Sequence, residues 1–253
     1  MPSDPVPAVV DALRQALRAA AHPLADAPLQ RLPDHGLAHD HVRLMGTGWL
    51  ARIPKQSQMG LSAVDNLHHQ RTCFERAAAS GHTPRLLGHL PPSVHLPRGA
   101  LLVEAIEGRA ARLPQDLPAL AQALAALHRL PLPAQPAPLQ HAADPLRALR
   151  DEIAAQATHL DAAAPVPAAR ALIERERAAL DRLCGAPARP PRCLIAFDTH
   201  PGNFIVTPDG RAVLVDLEKC RYGPPGLDLA HATLYTSTTW DVKSSAVLDT
   251  GEE

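Results

Sequence analysis

The sequence predicts an α+β, bilobal fold in which a small antiparallel sheet is followed by a mostly helical part. Between Leu32 and Ile53, short apolar alternations are separated by glycines, which is typical of strands joined by tight turns. A continuous apolar strand pattern, Ala100–Ile106, closes this region. After Gly108, apolar residues recur at helical spacing over long segments. We therefore divide the chain into an N-terminal lobe, residues 1–107, and a C-terminal lobe, residues 108–253.

The N-terminal lobe is predicted to begin with an amphipathic helix, Val9–Ala21, whose apolar residues lie at helical spacing. Two strands follow, separated by a turn at Gly46-Thr47-Gly48. A second helix is predicted over Leu61–Ser80, and it ends at Gly81, shortly before Pro84. This order of elements describes a small sheet crossed by one helix.

The C-terminal lobe is predicted to be helical up to residue 184 and to continue in short strands. Its first helix, Asp116–Leu130, has Pro118 in the first turn, where a missing N–H costs little, and a stiff proline-rich linker follows. A turn at Pro208-Asp209-Gly210 between two apolar runs indicates a β-hairpin. The remaining predicted elements are two helices, Pro145–Ala162 and Ala168–Cys184, a strand, Arg192–Ala196, the hairpin strands, Phe204–Val206 and Ala212–Val215, and a final helix, Leu227–Leu234.

The composition excludes several classes of protein. The chain has 253 residues, of which 46% are hydrophobic and 20% charged, as in globular proteins. Its 25 basic and 26 acidic residues give a net charge of -1, so no global charge favours nucleic acid or a membrane surface. No apolar run approaches the ~20 residues of a membrane span, and a signal peptide pattern is absent. The four cysteines have no regular spacing, so we expect reduced thiols in a cytoplasmic protein.

The chemistry is concentrated in residues 193–219. Asp198 and Asn203 lie in a loop between two predicted strands, and Asp216 follows the second strand of the hairpin, which returns it to the side of Asn203. Carboxylate and amide oxygens are the ligands that Mg²⁺ prefers. Asp198 is placed to accept a proton rather than to bind the metal. This pattern suits phosphoryl transfer, in which a metal neutralises phosphates and a carboxylate orients the attacking hydroxyl.

The same segment resembles the catalytic and metal-binding loops of the aminoglycoside phosphotransferase/choline kinase-like family, small-molecule kinases with a protein-kinase-like fold. That family's pattern is close to H-G-D-x-H-P-G-N, followed by a strand, a turn, a strand and I-D-x-E. The chain carries the matching residues in register: Asp198, His200, Pro201, Gly202, Asn203, Asp216 and Glu218. Residues 223–230 look like the family's G-D-P-x-x-D-L-A segment. The resemblance runs from about Leu32 onward, but its specific motifs lie within 193–230.

The resemblance implies roles for individual residues. Asp198 would orient and deprotonate the acceptor hydroxyl, while Asn203 and Asp216 would hold Mg²⁺. In the N-terminal lobe, Arg52 stands in the place of the usual phosphate-contacting lysine. The cofactor-binding set implied by the family is Arg52, Glu75, which would pair with it, and Glu104, in the segment that resembles the adenine-binding hinge. The expected cofactors are ATP, with GTP as the open alternative, and Mg²⁺, and the expected partner is a small hydroxyl-bearing acceptor.

Besides Arg52 in place of the lysine, the chain departs from the family pattern at three further places. Ala196-Phe197 replaces the His-Gly before the catalytic aspartate, the phosphate loop has the single glycine Gly36, and the residues from Ser245 onward look like the start of a helix, as in a truncated C-terminal lobe. A nucleotide-binding pseudokinase therefore stays open as an alternative. A protein kinase ranks lowest, because the stretch after Asp216 is too short for an activation loop.

Several polar residues have two interpretations. We expect Asp228 to be a buried carboxylate that accepts backbone N–H groups, and His200 to fix the loop by hydrogen bonding. Glu218 is either a metal neighbour or a solvated side chain. His39 and His41 share a strand face, but no third metal ligand is identifiable, so we expect surface residues or loop residues on the phosphate side. Three acids suit either a polycationic acceptor or a solvated helix face: Asp151, Glu152 and Asp161.

Overall fold

A five-stranded antiparallel sheet forms the first part of the chain, in the order β1-β2-β3-β5-β4. The computed structural model describes residues 6–33 and 38–233. The helices and strands of this part are α1 Val6–Ala19, β1 Leu29–Arg31, β2 His39–Leu44, β3 Trp49–Pro54, α2 Ala63–Ala77, β4 Leu86–Leu90 and β5 Ala100–Glu104. The predicted turn at Gly36 lies outside the described residues.

The sheet is covered on both faces, which explains why β5 is continuously apolar. Ala100 and Leu102 pack in one cluster with Leu13 and Leu17 of α1. The alternate residues of β5, Leu101 and Val103, pack in a second cluster with Leu67, Cys73 and Phe74 of α2. Because successive side chains of a strand point to opposite faces, a strand buried on both sides needs an uninterrupted apolar run.

The second part of the chain combines helices with two small sheets. Its elements are β6 Arg109–Ala110, α3 Leu117–His128, α4 Pro145–Ala157, α5 Leu160–Ala163, α6 Pro167–Gly185, β7 Cys193–Ile195, β8 Phe204–Val206, β9 Ala212–Leu214, β10 Arg221–Gly223 and α7 Gly226–Thr233. β10 pairs with β7, and β6, β8 and β9 form a three-stranded antiparallel sheet. Leu120, Leu124 and Leu127 of α3 are buried in the cluster that also holds α2 and β7.

The helical hairpin α4–α6 is much more exposed than the rest of this part. No residue of α4 is buried, and Cys184 is the only buried residue of α6. The helix predicted over Pro145–Ala162 is in fact interrupted, since α4 ends at Ala157 and α5 begins at Leu160. The segments from Leu234 onward, including the helix start expected at Ser245, lie outside the described residues.

The structure confirms the predicted fold class, a small antiparallel sheet followed by a mostly helical part. The proposed boundary after Glu107 falls between β5, which belongs to the five-stranded sheet, and β6, which pairs with β8. Among the described residues, no helix has both the length and the apolar character needed to cross a membrane.

Candidate active site

The loop between β7 and β8 is anchored from behind by Asp228 of α7. The Asp228 carboxylate is completely buried, and it accepts the backbone N–H of Ala196 at 3.0 Å and that of Phe197 at 2.8 Å. His128 Nε2 lies 2.9 Å from the same carboxylate, and the Thr199 hydroxyl donates to the Asp228 carbonyl at 2.6 Å. The expectation that Asp228 is a buried acceptor of backbone N–H groups is confirmed by these contacts.

Phe197 takes the place of the glycine in the family pattern, and its backbone lies in the left-handed region with φ of +59°. A residue with a Cβ is strained there. Two contacts hold it: its N–H donates to Asp228, and the guanidinium of Arg221 lies 3.7 Å from the centre of its ring. Arg221 is held in turn by Glu152 of α4, with N–O distances of 2.9 and 3.1 Å.

The carboxylate of Asp198 is surrounded by nitrogen-bearing side chains. Lys219 Nζ lies 2.6 Å from Oδ2. His231 Nδ1 and His200 Nε2 lie 3.8 and 4.0 Å from Oδ1, respectively. The side chain of Asp198 is 19% exposed, so it is accessible from the loop mouth. Lys219 was missed by sequence reasoning, although it directly follows the Asp216-Leu217-Glu218 motif that the family pattern identifies.

Asn203 and Asp216 lie side by side where β8 begins and β9 ends. Asn203 Nδ2 donates to the Asp198 carbonyl at 2.8 Å, which leaves its Oδ1 as the atom available to a cation. The backbone N–H of Val215 donates to the Asn203 carbonyl at 2.9 Å, and this bond fixes the distance between the two loops. The structure thus brings together Asp198, Asn203 and Asp216, as the sequence predicts, and their oxygen atoms are the kind that Mg²⁺ binds.

Arg52 reaches this loop from β3 of the sheet. Its Nη1 donates to the Val215 carbonyl at 2.7 Å and its Nη2 to Asp216 Oδ1 at 2.8 Å, with the side chain only 5% exposed. The guanidinium also lies 5.6 Å from the centre of the Phe74 ring. Burial by itself would raise the pKa of Asp216, but the charge and hydrogen bond of Arg52, together with His39 and the backbone N–H of Glu218, place the pKa below its usual value. Asp216 is therefore held ionised.

The predicted pair of Arg52 with Glu75 is wrong. Glu75 is 51% exposed and pairs with Arg71 on its own helix, at 3.2 Å. The reason is the helical phase of α2, because Phe74 is the residue that faces Arg52, and the next residue is rotated towards solvent. The acid that holds Arg52 is Asp216 instead.

Glu104 ends β5 at the junction of the two parts of the chain. Its carboxylate pairs with Arg85 Nε at 3.1 Å, and its backbone N–H donates to the Arg85 carbonyl at 2.9 Å. The next N–H, that of Ala105, donates to the Gly48 carbonyl at 2.8 Å. Both amides are therefore used inside the protein, and the adenine contact implied for this segment stays a prediction.

A buried cluster lies on the sheet side of Asp216. It consists of His39 of β2, Asp216 and Glu218, whose potential ligand atoms all lie within 4.8 Å of one another. His39 Nε2 is 3.8 Å from Glu218 Oε2 and 3.1 Å from Gln70 Oε1. Burial lowers the pKa of His39 to about 4, whereas burial and the charge of Asp216 raise the pKa of Glu218 to about 7. Glu218 is thus a buried neighbour of Asp216 and not a solvated side chain.

The acids considered for a polycationic acceptor are each paired with an arginine. Asp151 contacts Arg150 at 2.7 Å, and Asp161 contacts Arg170 at 2.8 Å. Glu152 is occupied by Arg221, as described above. Their charges are therefore compensated locally.

Comparisons with known proteins identify a family and a shared fold. The sequence matches the model of the phosphotransferase enzyme family over residues 28–250. A choline/ethanolamine kinase family protein from Mesorhizobium loti has a similar structure, with a TM-score of 0.64 and 22% identity, over 89% of this chain and 70% of the other. No curated protein matches the sequence.

Two aminoglycoside phosphotransferase complexes are also similar in structure. The streptomycin-ATP-APH(2'')-IIa ternary complex has a TM-score of 0.56 at 14% identity, over 84% of this chain and 73% of the other. The GDP and kanamycin complex of APH(2'')-IIia has a TM-score of 0.58 at 17% identity, over 92% of this chain and 84% of the other. At these identities the likeness establishes a shared fold, which is the protein-kinase-like fold of small-molecule kinases.

Proposed function

The chain belongs to the phosphotransferase enzyme family, and from this premise we propose that it transfers the γ-phosphoryl group of ATP to a hydroxyl of a small molecule. The observation that carries the proposal is the convergence of Arg52, from the distant strand β3, with three side chains of the segment 198–216: Asp198, Asn203 and Asp216. Each has the chemistry that phosphoryl transfer requires, and each lies at one loop mouth.

In the proposed mechanism, Asn203 Oδ1 and Asp216 would hold Mg²⁺, which when bound neutralises charge on the nucleotide phosphates. Arg52 orients Asp216 and keeps it ionised. The acceptor hydroxyl oxygen attacks the γ-phosphorus, the bond from that phosphorus to the bridging oxygen breaks, and ADP leaves. Asp198 takes the hydroxyl proton. Most of the rate would come from positioning and electrostatics.

Lys219 has a further role in the proposed mechanism, because it contacts the proposed base. Its ammonium group binds Asp198 at 2.6 Å, so it must yield or share that carboxylate when the acceptor hydroxyl arrives. The family's histidine before the catalytic aspartate is Ala196 here. We assign to Lys219 the task of holding the Asp198 side chain, and to Asp228 that of holding the loop backbone.

The acceptor is proposed to be an amino alcohol, a sugar or an aminoglycoside-like compound. The arginine pairing of Asp151, Glu152 and Asp161 favours acceptors of low positive charge over polycations. ATP is our first choice of donor and GTP the second. The four cysteines are buried and unpaired, which favours a reducing compartment such as the cytoplasm.

The first test is a thermal-shift titration with ATP and Mg²⁺. A ligand at about 100 times its Kd stabilises the folded state by ~2.7 kcal/mol. We expect a Mg²⁺-dependent shift in the wild type that is lost in Asp216→Ala and kept in Asp209→Ala, an exposed turn carboxylate. A folded wild type that shows no shift with ATP or GTP would refute the proposal.

The second test separates binding from transfer. We expect Asp198→Asn to keep the nucleotide-dependent thermal shift and to lose ADP release with hydroxyl acceptors by about 10²-fold or more, because general base catalysis is removed. Near wild-type turnover in this variant would remove Asp198 from its assigned role.

A nucleotide-binding pseudokinase is the second candidate, favoured by Ala196-Phe197 in place of the family's His-Gly. Under this alternative, the wild type shows the thermal shift, and ADP release matches that of Asp198→Asn with every acceptor tested. The same two assays therefore distinguish the candidates.

A further inference from the structure

His39, Asp216 and Glu218 come together from two ends of the chain. His39 is the first residue of β2, while Asp216 and Glu218 follow β9. The sequence offers His39 and His41 on one strand face without a third ligand, and the fold supplies two carboxylates to that face. The ligand atoms of the three residues lie within 4.8 Å of one another.

We propose that these three side chains form a binding site for a divalent transition-metal cation. The site goes beyond the proposed Mg²⁺ pair, Asn203 and Asp216, because it adds an imidazole nitrogen and a second carboxylate. Imidazole ligands suit Fe²⁺, Ni²⁺, Cu²⁺ and Zn²⁺, and carboxylates also suit Mn²⁺, whereas Mg²⁺ prefers oxygen ligands alone. The ligand set therefore selects for a transition metal over Mg²⁺.

The state of Glu218 is an independent observation that points to a cation. Glu218 is 8% exposed, and its Oε1 is buried without a hydrogen-bond partner. Its Oε2 lies 3.8 Å from His39 Nε2, which is too long for a hydrogen bond. A buried carboxylate oxygen without a partner is costly, and a bound metal ion would satisfy it.

Two neighbours determine how tightly the metal is held. Gln70 Oε1 lies 3.1 Å from His39 Nε2. When Nε2 binds the metal, it gives up this hydrogen bond, and the ring proton is carried by Nδ1. Arg52 holds Asp216 Oδ1 at 2.8 Å, so the other carboxylate oxygen of Asp216 is the ligand we assign. The positive charges of Arg52 and Lys55 oppose the cation, and the metal has to displace any proton held by Glu218, because a carboxyl group binds a metal in its deprotonated form.

The test uses Mn²⁺ alone with the chelator-treated full-length protein and no nucleotide. By calorimetric titration, we expect one Mn²⁺ per chain, bound more tightly than Mg²⁺. His39→Asn should weaken Mn²⁺ binding by at least about tenfold, the lower limit of what even outer-shell partners contribute. The matched control is His89→Asn, a substitution at an exposed histidine of the same sheet.

A spectroscopic measurement identifies the ligand directly. In pulsed electron paramagnetic resonance of the Mn²⁺-bound protein, a coordinated histidine gives a ¹⁴N coupling, which we expect in the wild type and in His89→Asn but not in His39→Asn. Folded wild type that binds no Mn²⁺ at millimolar concentration, or binds it without this coupling, overturns the proposal. So does a His39→Asn variant with unchanged affinity. The ATP and Mg²⁺ thermal shift is scored separately, so either proposal can fail alone.

Discussion

Phe197 occupies a backbone conformation that favours glycine, directly before the proposed catalytic residue. Its φ of +59° is held by the Asp228 carboxylate on one side and by Arg221 over its ring on the other. Strain of this kind persists only where the surroundings enforce it, and it concentrates at functional sites. The loop between β7 and β8 is therefore shaped by its neighbours and not by the intrinsic preference of its own residues.

A pair of variants isolates this strain. Phe197→Gly and Phe197→Ala both remove the ring and its contact with Arg221, but only glycine adopts the left-handed conformation freely. We expect the glycine variant to have the higher free energy of unfolding, by about 1 kcal/mol, in urea titrations of both proteins. An alanine variant as stable as the glycine variant would show that the loop is not strained at this residue.

At the residue scale, the sequence is informative where a motif fixes both the residue type and its spacing. Asp198, Asn203, Asp216 and Asp228 are brought to the loop mouth or behind it in this way. The predicted pairing of Glu75 failed because a position within a helix does not reveal which face is buried. Arg52 contacts Phe74, and Glu75 pairs with Arg71. His39 and Lys219 have no motif of their own, and their neighbours are set by tertiary packing.

At the element scale, periodicity predicts the long helices and the buried strand β5, and the Pro208-Asp209-Gly210 turn reveals the short strands β8 and β9, but other short strands are missed. β1, β6 and β10 have two or three residues each, which is too short to display an alternation. β4 is interrupted by an irregular register between Leu86 and Gly88, so its pattern is broken as well. The break between α4 and α5 is likewise invisible, because alanine-rich sequence continues through it.

One contact joins β6 to α3 through Asp116. Its carboxylate accepts from both terminal nitrogens of Arg109 and from the backbone N–H of Arg112, at 2.7 Å for the latter. Hydrogen bonding from Arg109 lowers the pKa of Asp116 despite its burial. A lowered pKa in the folded state stabilises the fold above the unfolded-state pKa, and this contribution is lost as the pH falls through the folded-state value.

We therefore expect Asp116→Asn to lower Tm by a few degrees at pH 7, because the charged acceptor is lost. The difference from the wild type should shrink as the pH falls from about 4, where the carboxyl of the unfolded chain becomes protonated, through the lower pKa of the folded state. Calorimetric scans across this range measure it. Asp161→Asn, which breaks an exposed pair with Arg170, is the control and should change Tm little at any pH. A pH-independent loss in Asp116→Asn would contradict the expectation.

At the scale of the whole molecule, Arg52 connects the sheet to the loop that follows β9, across 163 to 164 residues of sequence. His69 Nε2 lies 3.0 Å from the Glu218 carbonyl and adds a second link from α2 to the same loop. Such contacts are outside the reach of sequence patterns, because neither partner predicts the other. They couple the two parts of the chain at the site where the nucleotide is proposed to bind.

We expect Arg52→Met to lower the free energy of unfolding by roughly 3 kcal/mol, because the partly buried Asp216 loses its cation. Urea denaturation measures this loss. Arg71→Met, on the exposed pair with Glu75, should change it by less than about 0.5 kcal/mol. In double-mutant cycles, Arg52→Met should couple with Asp216→Asn and be additive with Glu75→Gln. Coupling of Arg52→Met with Glu75→Gln, and additivity with Asp216→Asn, would instead support the pairing of Arg52 with Glu75.

Asp228 anchors the loop between β7 and β8, and this contact determines when the loop takes its final shape during synthesis. Ala196 and Phe197 leave the ribosome first, but the carboxylate that shapes them follows 31 to 32 residues later. His128, whose side chain contacts that carboxylate, is synthesised 100 residues before it. A nascent chain interrupted before α7 would carry Asp198 without the scaffold that positions it. The order of the residues along the chain therefore delays the positioning of Asp198 until α7 has been made.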